Sequence, residues 1–349
     1  MAETNYPVNH PLAVKLYSKR LIREALKATY INKFIGKGTN SVIQLKDETQ
    51  KSAGDQITYG LIMQLNGAGV SGDGALEGNE ESLVTYSDAL LIDQIRNGVL
   101  STGKMSEQRV HFDVREEAMD RLKDWFADRM DTAFFNQIAG NTGQADTRYT
   151  GSNATVAPDA NHLLFGGAQA SEASVAGAST AVFTLDLLDK AVEKAKTLSP
   201  LIRPVRINGE DKFVCFLHPF QVTSLRTTVS TSAVTWYDIQ KAAMMGGQVS
   251  NNPIYTGALG EYNGVILHES TRVPSVVANT RRAILCGAQA AVVAFGQNYS
   301  DQSPAWQEKT FDYGNKLGVA GSVIWGLKKT RFNSADLATI TIPTYAVAS

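Results

Sequence analysis

The chain has no excess of either charge. Its 33 lysines and arginines face 34 aspartates and glutamates in 349 residues, a formal net charge of -1. That balance excludes a polycation that coats nucleic acid with its whole surface, and it confines any phosphate contact to a local patch. Cysteine is scarce as well: Cys215 and Cys286 stand inside the apolar runs KFVCFL and RAILCGA. This setting predicts two buried reduced thiols rather than a disulfide framework, and it fits a reducing cytoplasm. No apolar run approaches the roughly 18 residues that span a bilayer, and no basic-then-apolar leader opens the chain. A soluble protein without a membrane partner is expected.

Catalytic and metal signatures are thin. The five histidines, His10, His111, His162, His218 and His268, pair with no second histidine or cysteine at metal-ligand spacing, apart from Cys215 and His218 in an apolar run that ends at Pro219. There is no G-x-S-x-G elbow and no H-E-x-x-H helix. Two glycine motifs raise the alternative of a nucleotide-binding enzyme. Gly67, Gly69 and Gly72 spell G-x-G-x-x-G inside LNGAGVSGDGALEGNEES, but Asp73, Glu77, Glu80 and Glu81 follow, and such a loop repels phosphate. Read as a calcium loop opened by Asp73, it has Ala75 at the third position and Val84 at the twelfth, so the spacing fails. An irregular divalent-cation site among those four acids stays open as an alternative to a solvated loop. Gly98 to Lys104 satisfies G-x-x-x-x-G-K, yet Met105 stands where a hydroxyl must hold magnesium. Neither motif predicts a cofactor, and no catalytic or metal-binding residue is assigned.

The chain is rich in long elements and uneven in local charge. In SAGDQITYGLIMQL, Ile57, Tyr59, Leu61 and Met63 alternate with other residues at strand period, and LVTYSDALLIDQIRNGV resumes strand composition beyond the glycine-rich loop. A long hairpin with a broad tip follows from the pair. Next, DVREEAMDRLKDWFADRMDTAFFNQIAG predicts a helix: Asp113 and Glu116 form a capping box, and Leu122, Phe126, Met130, Phe134 and Ile138 recur every four residues up to Gly140. At about 40 Å it suits a strut better than a core filler. Residues 141–181 turn to Gly, Ala, Ser, Thr and Asn, which predicts a surface insertion or flexible linker. An amphipathic helix in TLDLLDKAVEKAKTL precedes Pro200. Short strands (KFVCFLHP, NGVILHES, RAILCGA) and a helix near Tyr237 to Met245 then give an α+β pattern, and the tail (GVAGSVIWGLKKTRF, LATITIPTY) is strand again.

Residues 1–37 carry seven bases, among them Lys15, Lys19, Arg20, Arg23 and Lys27, against Glu3 and Glu24 only. Residues 66–94 carry six acids and no base. One chain therefore holds a basic arm and an acidic hairpin, and identical subunits that join arm to hairpin would lock by opposite charge. Lys15, Lys19, Arg20, Arg23 and Lys27 on one side, with Gly69, Asp73, Glu77, Glu80 and Glu81 on the other, are the inter-subunit candidates. Leu122, Phe126, Met130, Phe134 and Ile138 are the candidates for packing the long helix.

GVSGDGALEGNEESL, IDQIRNGV, GKMSEQRVHFDVREEAMDRLKDWFADRMD, VCFLHPFQVTSLR, NPIYTGALGEYNGVILHES and DYGNKLGVAGSVIWGLKKTRFN, in this order, resemble the major capsid proteins of one tailed-bacteriophage family. The resemblance spans about 36–333 and is poorest in the arm and in the stretch after Asn141. It implies the HK97-type shell fold shared by tailed phages and herpesviruses. In those terms residues 1–37 would be an N-terminal arm and 38–112 an extended hairpin loop. Residues 113–203 would form a peripheral domain with a spine helix and an insertion at 141–181, 204–290 an axial domain, and 291–349 a return to peripheral strands. The resemblance further implies a non-enzymatic subunit of an icosahedral virion shell, assembled in the host cytoplasm as hexamers and pentamers around double-stranded DNA. Portal, scaffolding and decoration proteins are the implied partners, with scaffolding expected as a separate protein. A non-viral compartment of the same fold is the other structural reading. No covalent cross-linking pair is assigned.

Overall fold

A computed structural model describes residues 30–46, 54–108, 114–207, 209–227, 260–296 and 305–348. The strands, in chain order, are β1 Ile35–Gly36, β2 Ile43–Lys46, β3 Gln56–Ile62, β4 Thr85–Leu91, β5 Asp93–Leu100, β6 Val205–Ile207, β7 Glu210–Leu217, β8 Gly260–Tyr262, β9 Val265–Glu269, β10 Thr280–Cys286, β11 Ala291–Phe295, β12 Ala305–Phe311, β13 Lys316–Lys329, β14 Arg331–Phe332, β15 Ala335–Asp336 and β16 Thr339–Tyr345. The helices are α1 Lys104–Gln108, α2 Val114–Ile138, α3 Glu172–Gly177, α4 Leu185–Thr197 and α5 Pro219–Thr227. Basic residues Lys15, Lys19, Arg20, Arg23 and Lys27, the capping residue Asp113 and the helix expected near Tyr237 all lie outside the described residues.

Two six-stranded sheets and a free hairpin organise the chain. The first sheet runs β1-β2-β11-β13-β12, with β5 on the other side of β13; the second runs β16-β10-β7-β9-β8, with β6 beside β7. Among the described residues, strands β3 and β4 pair only with each other, from Gln56↔Leu91 to Ile62↔Thr85. The alternation read in this segment is the one observed: Ile57 and Tyr59 are buried while Gln56, Thr58 and Gly60 are exposed. Cys215 and Cys286 are free buried thiols on adjacent strands β7 and β10, and burial raises both pKa values.

Helix α2 has 25 residues, about 37 Å at 1.5 Å per residue. All five seam residues, Leu122, Phe126, Met130, Phe134 and Ile138, are buried. Over its first turns Glu116, Asp120, Arg121 and Asp124 remain exposed, which suits a strut. The last turns depart from that expectation, because residues 133–138 are buried on every side. There Phe134 and Phe135 meet Phe216 of β7 at 5.7 and 5.5 Å between ring centroids, at near-perpendicular angles. The helix therefore begins as a strut and ends as core. Gly140 stops it in the left-handed region (φ 61°), with Gly140 N–H donating to Gln137 O and Asn141 N–H to Asn136 O. This is a Schellman cap. A Cβ at Gly140 would lie 2.6 Å from Val156 O, so only glycine fits.

Residues 141–181 are not a linker. Buried amides hold the segment's first part, and buried Val175 and Ala181 with backbone bonds to β16 hold the rest. Gln137 Nε2 donates to Thr150 O (2.6 Å) and Asn153 O (2.8 Å), Asn136 Nδ2 donates to Tyr149 O, and Gly151 O accepts from Leu327 N–H. Helix α3 follows, capped by Ser171, and its Glu172 pairs with Arg282 at 2.6 Å. The last strand also departs from the expected grouping. Thr339–Tyr345 lies within the 291–349 block, yet β16 pairs along its whole length with β10, from Thr280↔Tyr345 to Cys286↔Thr339. The chain thus leaves the first sheet after β13 and closes the edge of the second.

Candidate assembly surface

The hairpin is rooted in the first sheet. Ile57, Tyr59 and Leu90 pack against Val292 and Ala294 of β11 and against Phe332. Tyr59 Oη donates to Asp88 Oδ2 at 2.9 Å, and Lys328 Nζ bridges Asp88 Oδ1 and Ala89 O at 2.5 and 2.9 Å. Burial, then the Asp88 carboxylate, raises the Tyr59 pKa. Asn153 completes the root: its Oδ1 accepts from Leu91 N–H, and its Nδ2 donates to Leu91 O, Gly151 O and Leu327 O. A Cβ at Gly326 would lie 2.1 Å from Leu91 O, so this strand passes the hairpin base at a distance only glycine permits.

Beyond Met63, whose N–H donates to Val84 O, the ribbon opens into the broad glycine-rich tip. The glycine motif does cradle an anion, but the anion is the chain's own Glu81. Its carboxylate accepts Asn66 N–H at 2.8 Å and Gly67 N–H at 2.6 Å. These bonds lower the Glu81 pKa. Glu80 accepts from Gly78 N–H, and Gly69, Gly72 and Gly78 take left-handed backbone that side chains disfavour. Two of the four candidate acids therefore fold the tip itself, while Asp73 and Glu77 stay exposed. Among the described residues no cluster of three or more acids, histidines or cysteines is arranged to hold a metal ion.

The second glycine motif runs from β5 into the five-residue α1, where Gly98 pairs with Ala320 and Ser101 Oγ donates to Glu107 Oε1 at 2.6 Å. The Glu107 carboxylate at this loop would repel a phosphate. His218 accepts Phe220 N–H on Nδ1, and His268 packs between Phe34 and Phe216. Both imidazoles are held near pKa 4, His268 by burial and then Lys33, His218 by burial and then Arg281. His218 is buried and His268 half-buried.

The arm enters the body at Asp131. The turn Tyr30–Phe34 presents the N–H groups of Tyr30 and Ile31 to the two carboxylate oxygens of Asp131 at 3.1 and 3.2 Å, and Arg272 pairs with the same group at 3.3 Å. Desolvation dominates and raises the Asp131 pKa. Sequence reasoning missed Asp131, Asn153 and Arg282. Asp131 had a signal, since an acid four residues before Phe135 and four after Ala127 occupies the apolar phase of α2; the other two act through chain-distant partners.

Exposure of apolar side chains is concentrated. Of the fifteen large exposed apolar residues among those described, twelve lie on the hairpin, on the end of the β5–β13–β12 sheet or on adjoining α1. On the tip, Ile62, Leu65 and Leu76 are 64%, 57% and 62% exposed. Burying such side chains is worth roughly 1.5–3 kcal/mol each. A rooted ribbon with an apolar and acidic tip is a surface built for a partner.

Folded this way, the chain is a structural subunit with its contact surfaces turned outward. The phage capsid protein family model matches residues 5–348, and the chain belongs to that family. It is 31% identical to the major capsid protein of Pseudomonas phage KPP25 over 91% of this chain and 89% of that one. Its fold matches the capsid of Ralstonia phage GP4 with a TM-score of 0.77 at 37% identity, covering 92% of each chain. The cyanophage Pam1 capsid matches in fold with a TM-score of 0.76 at 23% identity, covering 93% of this chain and 94% of that one. The protein is a major capsid protein: a non-enzymatic component of the virion that associates with copies of itself to form the phage head shell.

Proposed function

We propose that the shell is icosahedral, built of hexamers and pentamers, and encloses double-stranded DNA, with the hairpin of each copy reaching over a neighbour. The concentration of exposed apolar side chains on a rooted hairpin carries this reading. The arm, residues 1–37, packs against a neighbour, because Leu12, Leu16, Ile22 and Leu26 need an apolar partner and its bases suit an acidic one. Residues 38–112 serve as the extended hairpin, 113–203 with the returning strands β11–β13 of 291–349 as the peripheral domain, and 204–290, whose sheet β16 closes, as the axial domain. Portal, scaffolding and decoration proteins are separate partners, and DNA meets the inner surface through salt-dependent contacts without base readout.

Negative-stain microscopy of the native protein, alongside its mass in solution, tests this. Closed shells or sixfold capsomers are expected, with co-expression of the neighbouring genes supplying any scaffold. A monomer at every salt and protein concentration, even with those genes, would refute it. Shells that carry a cargo enzyme in place of DNA would move the protein to the compartment class.

A further inference from the structure

A cleft at the end of α4 lies apart from the hairpin and from the open end of the first sheet. Its cavity of about 520 Å³ is bounded by the last turn of α4, residues 201–204, the start of β7 and the turn that joins β8 to β9. Leu201, Ile202, Pro204 and Phe213 supply an apolar wall; Ile202 and Phe213 are buried, whereas Leu201 is 64% exposed. Lys196 and Arg203, both exposed, line the same cavity. Among the described residues neither forms an ion pair, and the one acid of the lining, Asp211, is held by Arg206 at 3.2 Å. The volume falls in the range of small-molecule sites, whose walls are mostly apolar with a few charged groups to orient the ligand.

The backbone fixes these walls. Ile202 N–H donates to Ala195 O at 3.1 Å and Arg203 O accepts Ala288 N–H at 2.7 Å, so residues 201–204 are tied to α4 on one side and to the turn after β10 on the other. Across the cavity Gly264 O accepts Phe213 N–H at 2.8 Å, and Asn263 Nδ2 donates to Asp189 Oδ1 at 2.9 Å. With these groups already paired, the cleft offers little to a peptide, whose own N–H and C=O groups would lose their water against an apolar wall. An aliphatic chain carries no such groups, and two unpaired cations at the rim call for an anion. We propose that this cleft binds a small amphipathic anion, an acyl chain that ends in a carboxylate. The chain lies along Leu201, Ile202 and Phe213, and the carboxylate meets Lys196 and Arg203. So placed, the ligand joins α4 to the second sheet and stabilises the folded subunit by mass action.

Sodium decanoate, added below its micelle concentration to the unassembled full chain, tests this against decanol, which has the same chain and no charge. Decanoate should raise the melting temperature with the logarithm of its concentration, and decanol should need at least about tenfold more for the same shift. Lys196→Gln with Arg203→Gln should raise the decanoate requirement by about tenfold or more and leave that for decanol unchanged. In the wild type, decanoate should slow amide exchange at Leu201, Arg203 and Gly264. An equal response of wild type and variant to decanoate overturns the proposal, as does protection confined to the hairpin, whose exposed apolar residues would then be the binding site. A wild type that decanoate leaves unmoved overturns it as well; if the variant also loses shell yield, the cleft belongs to an acidic protein partner instead.

Discussion

Arg282 closes three elements with one side chain. From β10 it donates to Ala139 O at 2.9 Å and Gly140 O at 2.8 Å at the end of α2, where the helix dipole favours a cation, and it pairs with Glu172 of α3. Its removal leaves the Glu172 carboxylate without its cation and Ala139 O without this donor, while Gly140 O keeps Thr142 N–H. Arg282→Ala is expected to destabilise the subunit by about 3–5 kcal/mol in denaturant unfolding of the unassembled protein. His268 sets a pH dependence. Its pKa is near 4 in the folded chain against an ordinary value near 6.5, so below pH 6.5 the unfolded chain binds the proton that the folded one refuses. The stability is fully present above about pH 6.5 and is lost as pH falls toward 4, by at most about 3 kcal/mol. His218 behaves alike, so His268→Gln should remove roughly half of the histidine-dependent slope between pH 4 and 6.5, with denaturant midpoints across that range as the measurement.

At the scale of elements, the hairpin's bearing depends on its root. Asn153 makes one hydrogen bond as acceptor and three as donor there, all to backbone, so Asn153→Ala leaves several buried groups unpaired at a cost of about 1–3 kcal/mol. Amide exchange should rise at Leu91 and Leu327 more than in β7 or β10, and an even rise across the chain would count against a local anchor. Elements with their own periodicity were legible in the sequence. Ile57 and Tyr59 announced β3, the five-residue seam announced α2, and TLDLLDKAVEKAKTL announced α4, whose Leu187, Leu188, Ala191, Val192 and Ala195 are buried. What failed depended on partners far along the chain. Asn136 and Gln137 interrupt the apolar pattern yet are buried, because Tyr149, Thr150 and Asn153 offer them carbonyls. Small polar residues at 141–181 resembled a linker for the same reason. The apolar strands of both sheets read alike, and only register assigns β16 to β10.

For the whole molecule, the inter-subunit candidates divide. Glu80 and Glu81 shape the tip, Asp88 is held by Lys328 and Tyr59, and the acids left facing outward at the tip are Asp73 and Glu77. The basic arm residues lie outside the described residues, so their partner is a matter for assembly experiments. Lys19→Glu with Arg23→Glu is expected to lower the salt concentration at which shells dissociate, measured by light scattering across a salt series. Unchanged salt resistance would leave the arm to its apolar residues alone.

Strand β5 bonds to β13 on one side, as Ser101 N–H to Leu317 O continues, and has no strand partner on the other among the described residues. Alternation turns the N–H groups of Gln94, Arg96, Gly98 and Leu100 toward that open edge, and the side chains just before them occupy two of the four: Asp93 Oδ1 accepts from Gln94 at 2.7 Å and Asn97 Oδ1 from Gly98 at 2.9 Å. An open strand is a template for any passing chain, and these two caps blunt it. Newly made subunits can therefore accumulate in a crowded cell without zipping into fibrils, and wait for the geometry of the growing head to bring them together.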